Sequence, residues 1–503
     1  MSLSGTARVR VFTSAAVVVA LVAAGGALGA GAASAAPAAT AGSAASGTST
    51  SAAPVSPTVH RSDFLGNGYN DLALGAPGGT VSGKAGAGYV VVTFGSRSGL
   101  QPARRVVLTQ GHGGIPGTPT ANAGFGSALA VGDFNGDGYT DLAIGAPGDA
   151  GGKGSVTIVF GSAHGFTHAT RVVGTARLGT ALAAGDVART GRAQLLATQT
   201  PSNFGELDRF SVPRHGYTVH KEADQGIYGS TAIAVGDMNG DGYADVVASF
   251  AEVGGSMALA YYPGSAHGVV ASKVQVRMYE GGADMAMADL NHDGRADLVV
   301  GKPLPPFGGC AQDSTGGSVS VWYGKRSVGL GAAPSQTITE RTAGMPGGAW
   351  AQCDEFGSSV ALGDVNGDGW LDLAVGAQQK TVNGHTRAGA VTILRGGPKG
   401  FTTKGAQFLT LSTAGLHARA GDNSQFGWMV DLADFNHDGH ADLAATAIGQ
   451  GETSPGWPFY GDGSLSLVTG TVGGLAPSRA AYLTPASFGA PAHAALFGWV
   501  LAR

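Results

Sequence analysis

Short runs of alternating apolar and polar residues recur along the chain, cut by clusters of Asp, Asn and Gly. Ser127-Ala-Leu-Ala-Val131 is one such run, and Leu142-Ala-Ile144 and Ser155-Val-Thr-Ile-Val-Phe160 follow it. A period of two over a few residues predicts strands, and long amphipathic helices and heptads are missing from the pattern. The cluster between the first two runs, Asp133-Phe-Asn-Gly-Asp-Gly-Tyr-Thr-Asp141, recurs from Asp237, Asp289, Asp364 and Asp434, and in weaker form from Asp63 and Asp186. Successive copies are 70, 53, 51, 52, 75 and 70 residues apart. Each full unit opens on a Phe-Gly pair eight residues upstream of the cluster (Phe125-Gly126, Phe356-Gly357, Phe426-Gly427). A second strand ends in Gly-Ala-Pro or a relative of it, and a third runs through a glycine turn into a fourth. Four strands in each of seven units predict an all-β, seven-bladed β-propeller.

The cluster carries the chemistry. Asp-x-Asn-x-Asp-Gly-x-x-Asp supplies side-chain oxygens at positions 1, 3, 5 and 9 and a backbone carbonyl at position 7. That many oxygens in one short loop suit a hard cation, and calcium accepts irregular geometry more readily than magnesium. An EF-hand would need a bidentate Glu at position 12, where this chain has Ile144, Ala248, Val300, Val375 and Ala445. The predicted ligand sets are Asp133, Asn135, Asp137, Tyr139 and Asp141; Asp237, Asn239, Asp241, Tyr243 and Asp245; Asp289, Asn291, Asp293, Arg295 and Asp297; Asp364, Asn366, Asp368, Trp370 and Asp372; and Asp434, Asn436, Asp438, His440 and Asp442. The seventh residue of each set would coordinate through its carbonyl alone, so its side chain is free to vary. Blade one keeps Asp63, Asn67 and Asp71 but has Leu65 at position 3, which makes it a weaker sixth site. Blade three has Ala188, Thr190 and Gln194 at ligand positions and is expected to hold no ion.

These motifs resemble the FG-GAP (VCBS-like) repeat family, known from the N-terminal propeller heads of integrin α subunits, and the resemblance spans residues 59–503. It implies a calcium-bearing propeller that binds ligands on the face opposite the metal loops. The terminal Leu496-Phe-Gly-Trp-Val-Leu-Ala-Arg503 reads like the strand that opens at Phe426, whereas the first unit begins at its metal loop. The last strand is therefore expected to complete blade one and close the ring, removing exposed sheet edges.

Arg8 and Arg10 precede the apolar run 11–30, and Ala33-Ser-Ala35 offers a small-residue cleavage site, so residues 1–35 read as an export signal. Residues 36–58, rich in Ala, Ser, Thr, Gly and Pro, read as a linker. The expected product is secreted, with no stable membrane insertion once the signal is cleaved. Two cysteines, Cys310 and Cys353, suit an oxidising compartment and a disulfide between blades five and six. Of the chain's 34 acidic residues, 18 lie in the seven loops. Without the signal's two arginines the formal charge is −6, and five calcium ions would bring it to +4. No basic stripe interleaved with aromatics points to nucleic acid.

The longer repeats precede blades six, seven, one and two, a contiguous arc, and most of their extra length lies just before the next Phe-Gly. Trp350, His417, Arg419 and Asp422, with Trp457 and Tyr460 from a neighbouring connection, are the ligand-face candidates. The expected function is a secreted, calcium-binding adhesion module that takes an extracellular protein or polysaccharide on this arc. The alternative is a propeller-type polysaccharide lyase or hydrolase. No Gly-x-Ser-x-Gly, His-Glu-x-x-His or phosphate-binding glycine loop occurs, so the sequence names no catalytic residue.

Overall fold

Strands form where the alternation places them, and they assemble into seven four-stranded antiparallel sheets. The computed structural model describes residues 62–200, 206–224, 232–251, 257–303, 315–451 and 461–502. The predicted signal and linker, Cys310, Trp457 and Tyr460 lie outside the described residues. Blade two is typical, with strands Ala128–Gly132, Asp141–Ala146, Ser155–Phe160 and His168–Val173 in sequential order. The innermost strands of the other blades are Leu182–Gly185, Ala232–Gly236, Asp284–Ala288, Phe356–Gly363, Phe426–Ala433 and, for blade one, Val500–Leu501. Among the described residues helix is confined to single turns such as Asp149–Gly152 and Pro485–Phe488.

The C-terminal strand pairs antiparallel with Leu72–Ala76, with Leu74 opposite Leu501 and Gly75 opposite Val500, so the last residues complete the first blade. First strands of neighbouring blades pack side by side around the axis, and Val500–Leu501 joins those of blades seven and two. The ring is closed.

Second strands are buried on both faces because each blade is sandwiched between two others. All residues of Leu72–Ala76, Asp141–Ala146 and Asp372–Ala377 are buried, while outer strands such as His168–Val173 are half-exposed. The Phe of each Phe-Gly pair fills the seam between blades. Phe125 packs with Val90 and Leu108 of blade one and Ile144 of blade two, and Phe497 with Leu465 of blade seven and Leu74 of blade one. Blade three lacks the Phe, and Leu178 takes its place in the same kind of parallel bridge, to Gly154. The close approach of backbones at these seams requires glycine. A Cβ on Gly75 would come 2.0 Å from the carbonyl oxygen of Gly126 in the next blade, and one on Gly376 2.1 Å from that of Gly427.

Candidate functional site

The turn between the first and second strand of each blade is built by its own carboxylates. In blade two Asp133 Oδ1 accepts the amides of Gly136 and Asp137, and Oδ2 that of Gly138. Asn135 Oδ1 accepts from Asp137 N, and Asp137 Oδ1 from Tyr139 N. The same Asx-turn scheme winds the loops from Asp237, Asp289, Asp364 and Asp434. Gly138 sits at φ +93°, in the left-handed region that the sixth position requires.

The ninth residue acts as a staple, a role its sequence position does not announce. Asp141 Oδ2 accepts from Phe134 N within the loop, and Oδ1 from Gly161 N in the turn after the third strand, at 2.9 and 3.0 Å. Asp71, Asp245, Asp297, Asp372 and Asp442 repeat both bonds. Burial away from water pushes these carboxyls up, that of Asp141 to about 8, and neighbouring loop carboxylates add to the rise against the lowering effect of the two amides. Asp71, Asp297 and Asp442 rise to about 7 and Asp245 and Asp372 to about 6, from the same leading cause.

As placed, the carboxylates face their own loop amides, and among the described residues no three His, Cys, Asp or Glu side chains converge on one point. Blade three nevertheless shows where the loop oxygens can meet. Its Gln194, at position 9, donates through Nε2 to Asp186 Oδ1 (3.3 Å), Thr190 Oγ1 (2.8 Å) and the Arg192 carbonyl (2.7 Å). These are the oxygens of positions 1, 5 and 7. An electropositive amide thus stands at the centre of the one loop whose sequence lacks a ligand set. Where position 9 is Asp, no such amide comes from that position, and in blades two, six and seven the Asn of position 3 donates through Nδ2 to the Asp of position 5. In blade four Asn239 Oδ1, the oxygen of position 3, is buried without a hydrogen-bond partner. The donor set and the loop path fit a hard cation.

Position 7, read from sequence as free to vary, is in contact throughout. Each seventh side chain lies against position 4 of the preceding blade's loop. The His292 and Trp370 rings stack at 4.3 Å and 9°, His437 and Tyr69 meet edge-on at 5.9 Å, and the Arg189 guanidinium lies 5.9 Å from the Tyr243 ring centre. Where position 4 is glycine, the neighbour lies over the bare backbone: Tyr139 over Gly66, Arg192 over Gly136, Arg295 over Gly240 and His440 over Gly367. No sequence signal marks these pairs, because each partner lies a whole repeat away.

Comparison with known proteins agrees with this geometry. The FG-GAP repeat matches residues 125–159, 281–322 and 356–394, and the FG-GAP-like repeat matches 237–300. The first three each run from the seam residue to the third strand of a blade. The chain carries FG-GAP repeats in a seven-bladed propeller. It is 31% identical to integrin alpha pat-2 of Caenorhabditis briggsae over 244 residues, 46% of this chain and 19% of that protein. It is 31% identical to integrin alpha-8 of Mus musculus over 177 residues, 34% of this chain and 15% of that protein. It is also 40% identical to phosphatidylinositol-glycan-specific phospholipase D of Rattus norvegicus over 108 residues, 21% of this chain and 13% of that protein. The aligned regions thus span less than a fifth of these relatives.

On the opposite face of the FG-GAP ring, the starts of the first strands surround the mouth of an axial cavity of about 500 Å³. Ser127, Thr180 and Ser358 lie at this mouth, and blades seven and one contribute Trp428 and Trp499 there. The two indoles are half-buried with ring centres 4.8 Å apart, and Trp428 Nε1 donates to the Trp499 carbonyl. Sequence reasoning missed both, because each sits inside a repeat motif as the residue after Phe-Gly. Of the predicted ligand-face residues, His417, Arg419 and Asp422 are exposed, and Trp350 is half-buried with the Arg341 guanidinium 5.3 Å from its ring centre. Asp354 of the same insertion is instead buried. Lys380 Nζ donates to Asp354 Oδ2 (2.9 Å) and to Glu340 Oε1 (2.8 Å), joining blades five and six. Burial, and beyond it the nearby Asp354 carboxylate, push the Glu340 carboxyl up to about 8, against the lowering effect of Lys380. Between blades one and two the corresponding contact is Gln110 Nε2 donating to Asp149 Oδ2.

Proposed function

We propose that this protein is an extracellular, calcium-stabilised binding module that takes a protein or glycan on the face opposite its metal loops. The observation that carries the reading is the difference between the two faces of the ring. One face is tied loop to loop, while the other opens on a cavity lined in part by Trp428 and Trp499. Aromatic platforms beside hydroxyl groups suit ligands with an apolar side and a polar rim. The regional similarity to integrin alpha subunits supports an adhesion-type role.

Calcium is proposed for the five complete loops. When bound, the ion would supply the positive charge that positions 1, 3, 5, 7 and 9 lack, and would pin the hairpin between the first two strands. The convergence of oxygens on Gln194 Nε2 supports this assignment. Extracellular calcium modules bind with Kd of about 0.1–1 mM. At roughly 1 mM free calcium each site would add about 0.4–1.4 kcal/mol. Export of the chain, with cleavage of residues 1–35, and a disulfide from Cys353 to Cys310 belong to the same proposal. Among the described residues no cysteine is free, which supports the pairing.

Glycoside cleavage would need two carboxyl groups flanking an open gap. Glu340 and Asp354 are buried and joined through Lys380, so they do not offer one. The test is retention on immobilised glycans and matrix proteins by the wild type and by Trp428→Ala and Trp499→Ala. Retention by the wild type with loss in both variants supports the proposal. Binding unchanged by both substitutions, or release of cleaved saccharide, overturns it.

A further inference from the structure

Position 8 completes the contact between loops. The amide of Thr140 donates to the carbonyl of Asp63, Ala193 to Asp133, Ala244 to Asp186, Ala296 to Asp237 and Ala441 to Asp364. Asn70 closes the circle through its side chain, Nδ2 donating to the Asp434 carbonyl at 3.0 Å. Between blades five and six the link is the His292–Trp370 stack. Every acceptor in this series is the first residue of a loop, which is also the carboxylate around which that loop winds. Segment 7–8 of each loop therefore lies between its own oxygen set and the start of the preceding loop.

We propose that the seventh side chains are positioning residues that couple the metal loops into one annulus, so that an ion in one loop raises the affinity of the loop before it. The inference rests on the calcium reading above. Its physical basis is ordering. An ion held by the position 7 carbonyl fixes the backbone of positions 7 and 8, and these fix positions 1 and 4 of the neighbour. The neighbour then loses less conformational freedom when its own ion binds, which is positive coupling without any large movement. Blade three fits as a permanent link. Gln194 sets its loop without an ion, Arg189 lies near the Tyr243 ring, and Arg192 lies over Gly136 and donates to the Val212 carbonyl. Its two neighbours thus meet an already ordered partner, whereas blades four to seven form an unbroken run of complete loops.

The test uses the full chain and calcium alone. Trp370→Ala removes the stack on His292 and leaves every side-chain oxygen of both loops in place, and Trp370→His retains a ring as the conservative variant. Bound calcium is counted by elemental analysis, and binding is followed by isothermal titration. The coupling is read by the calcium-induced rise in Tm of Asp289→Ala, Asp368→Ala and their double variant, each with and without the added Trp370→Ala substitution. The expected result is a wild-type isotherm steeper than independent sites give, and non-additive effects of the two Asp substitutions. In Trp370→Ala the stoichiometry at saturation is unchanged, half-saturation shifts about fivefold upward, within the usual range of site coupling, and additivity is restored. Trp370→His stays close to wild type. If the seventh residue only packs, Trp370→Ala lowers Tm equally with and without calcium and leaves the isotherm alone, which overturns the inference. His440→Ala at the junction of blades six and seven, read with Asp368→Ala and Asp438→Ala, gives the same reading should Trp370→Ala fail to fold. Absence of bound calcium in the wild type would overturn the reading beneath the inference, and the inference with it, a result distinct from independent binding.

Discussion

Gln194 and Asp368 stand for two solutions to one problem, a loop whose oxygens point inward. Gln194 answers with an amide, so Gln194→Ala removes one donor from Asp186, Thr190 and the Arg192 carbonyl and the acceptor of the Ala188 amide, and should cost about 1–3 kcal/mol. The loss is expected to be the same with calcium and with chelator, as read by Tm. Asp368→Ala is expected to behave oppositely, lowering Tm in calcium and changing the chelated protein much less. Equal losses in both conditions would remove Asp368 from the ligand set. Glu340 gives a pH signature. Its carboxyl, at about 8 in the folded protein, binds its proton more tightly than in the unfolded chain. Its stabilising contribution is therefore complete below about pH 4.5, the ordinary glutamate value, and is lost as pH rises through about 8. Glu340→Gln imitates the protonated acid, as Gln110 does between blades one and two, and should raise Tm relative to wild type at pH 9 while leaving it nearly unchanged at pH 4.5. A thermal melt series across that range checks it.

At the scale of elements, blade one is the sensitive unit, since its first strand comes from the far end of the chain. Phe497 fills the seam between blades seven and one and contacts Phe488 with ring centres 5.5 Å apart. Truncating a buried Phe typically costs about 3–5 kcal/mol. Phe497→Ala is expected to lower Tm and to raise the protease sensitivity of blades one and seven together, measured by limited proteolysis. Local fraying of the terminal strand alone would contradict its role as the closing element. The strands themselves were legible because alternation and the Asp-Gly clusters mark both their faces and their ends. The Leu178 seam of blade three was harder to read, since it keeps the shape of a Phe-Gly pair without its aromatic ring.

Across the whole molecule, the described ring has one face of linked loops and one with an open mouth, and the candidates His417, Arg419 and Asp422 are exposed. Blade count, loop positions and closure by residues near 500 could all be read along the chain. Each follows from local chemistry repeated at intervals: period-two alternation, turn-forming Asx and Gly, and a motif that recurs at the terminus. The meetings across blades became visible in the folded ring alone, namely the contacts of position 7 with position 4, the Lys380 latch and the tryptophan pair. Their partners lie 26 residues or more apart, and at the junction of blades seven and one at opposite ends of the chain. Proximity of that kind is set by the closing of the ring, and no local pattern encodes it.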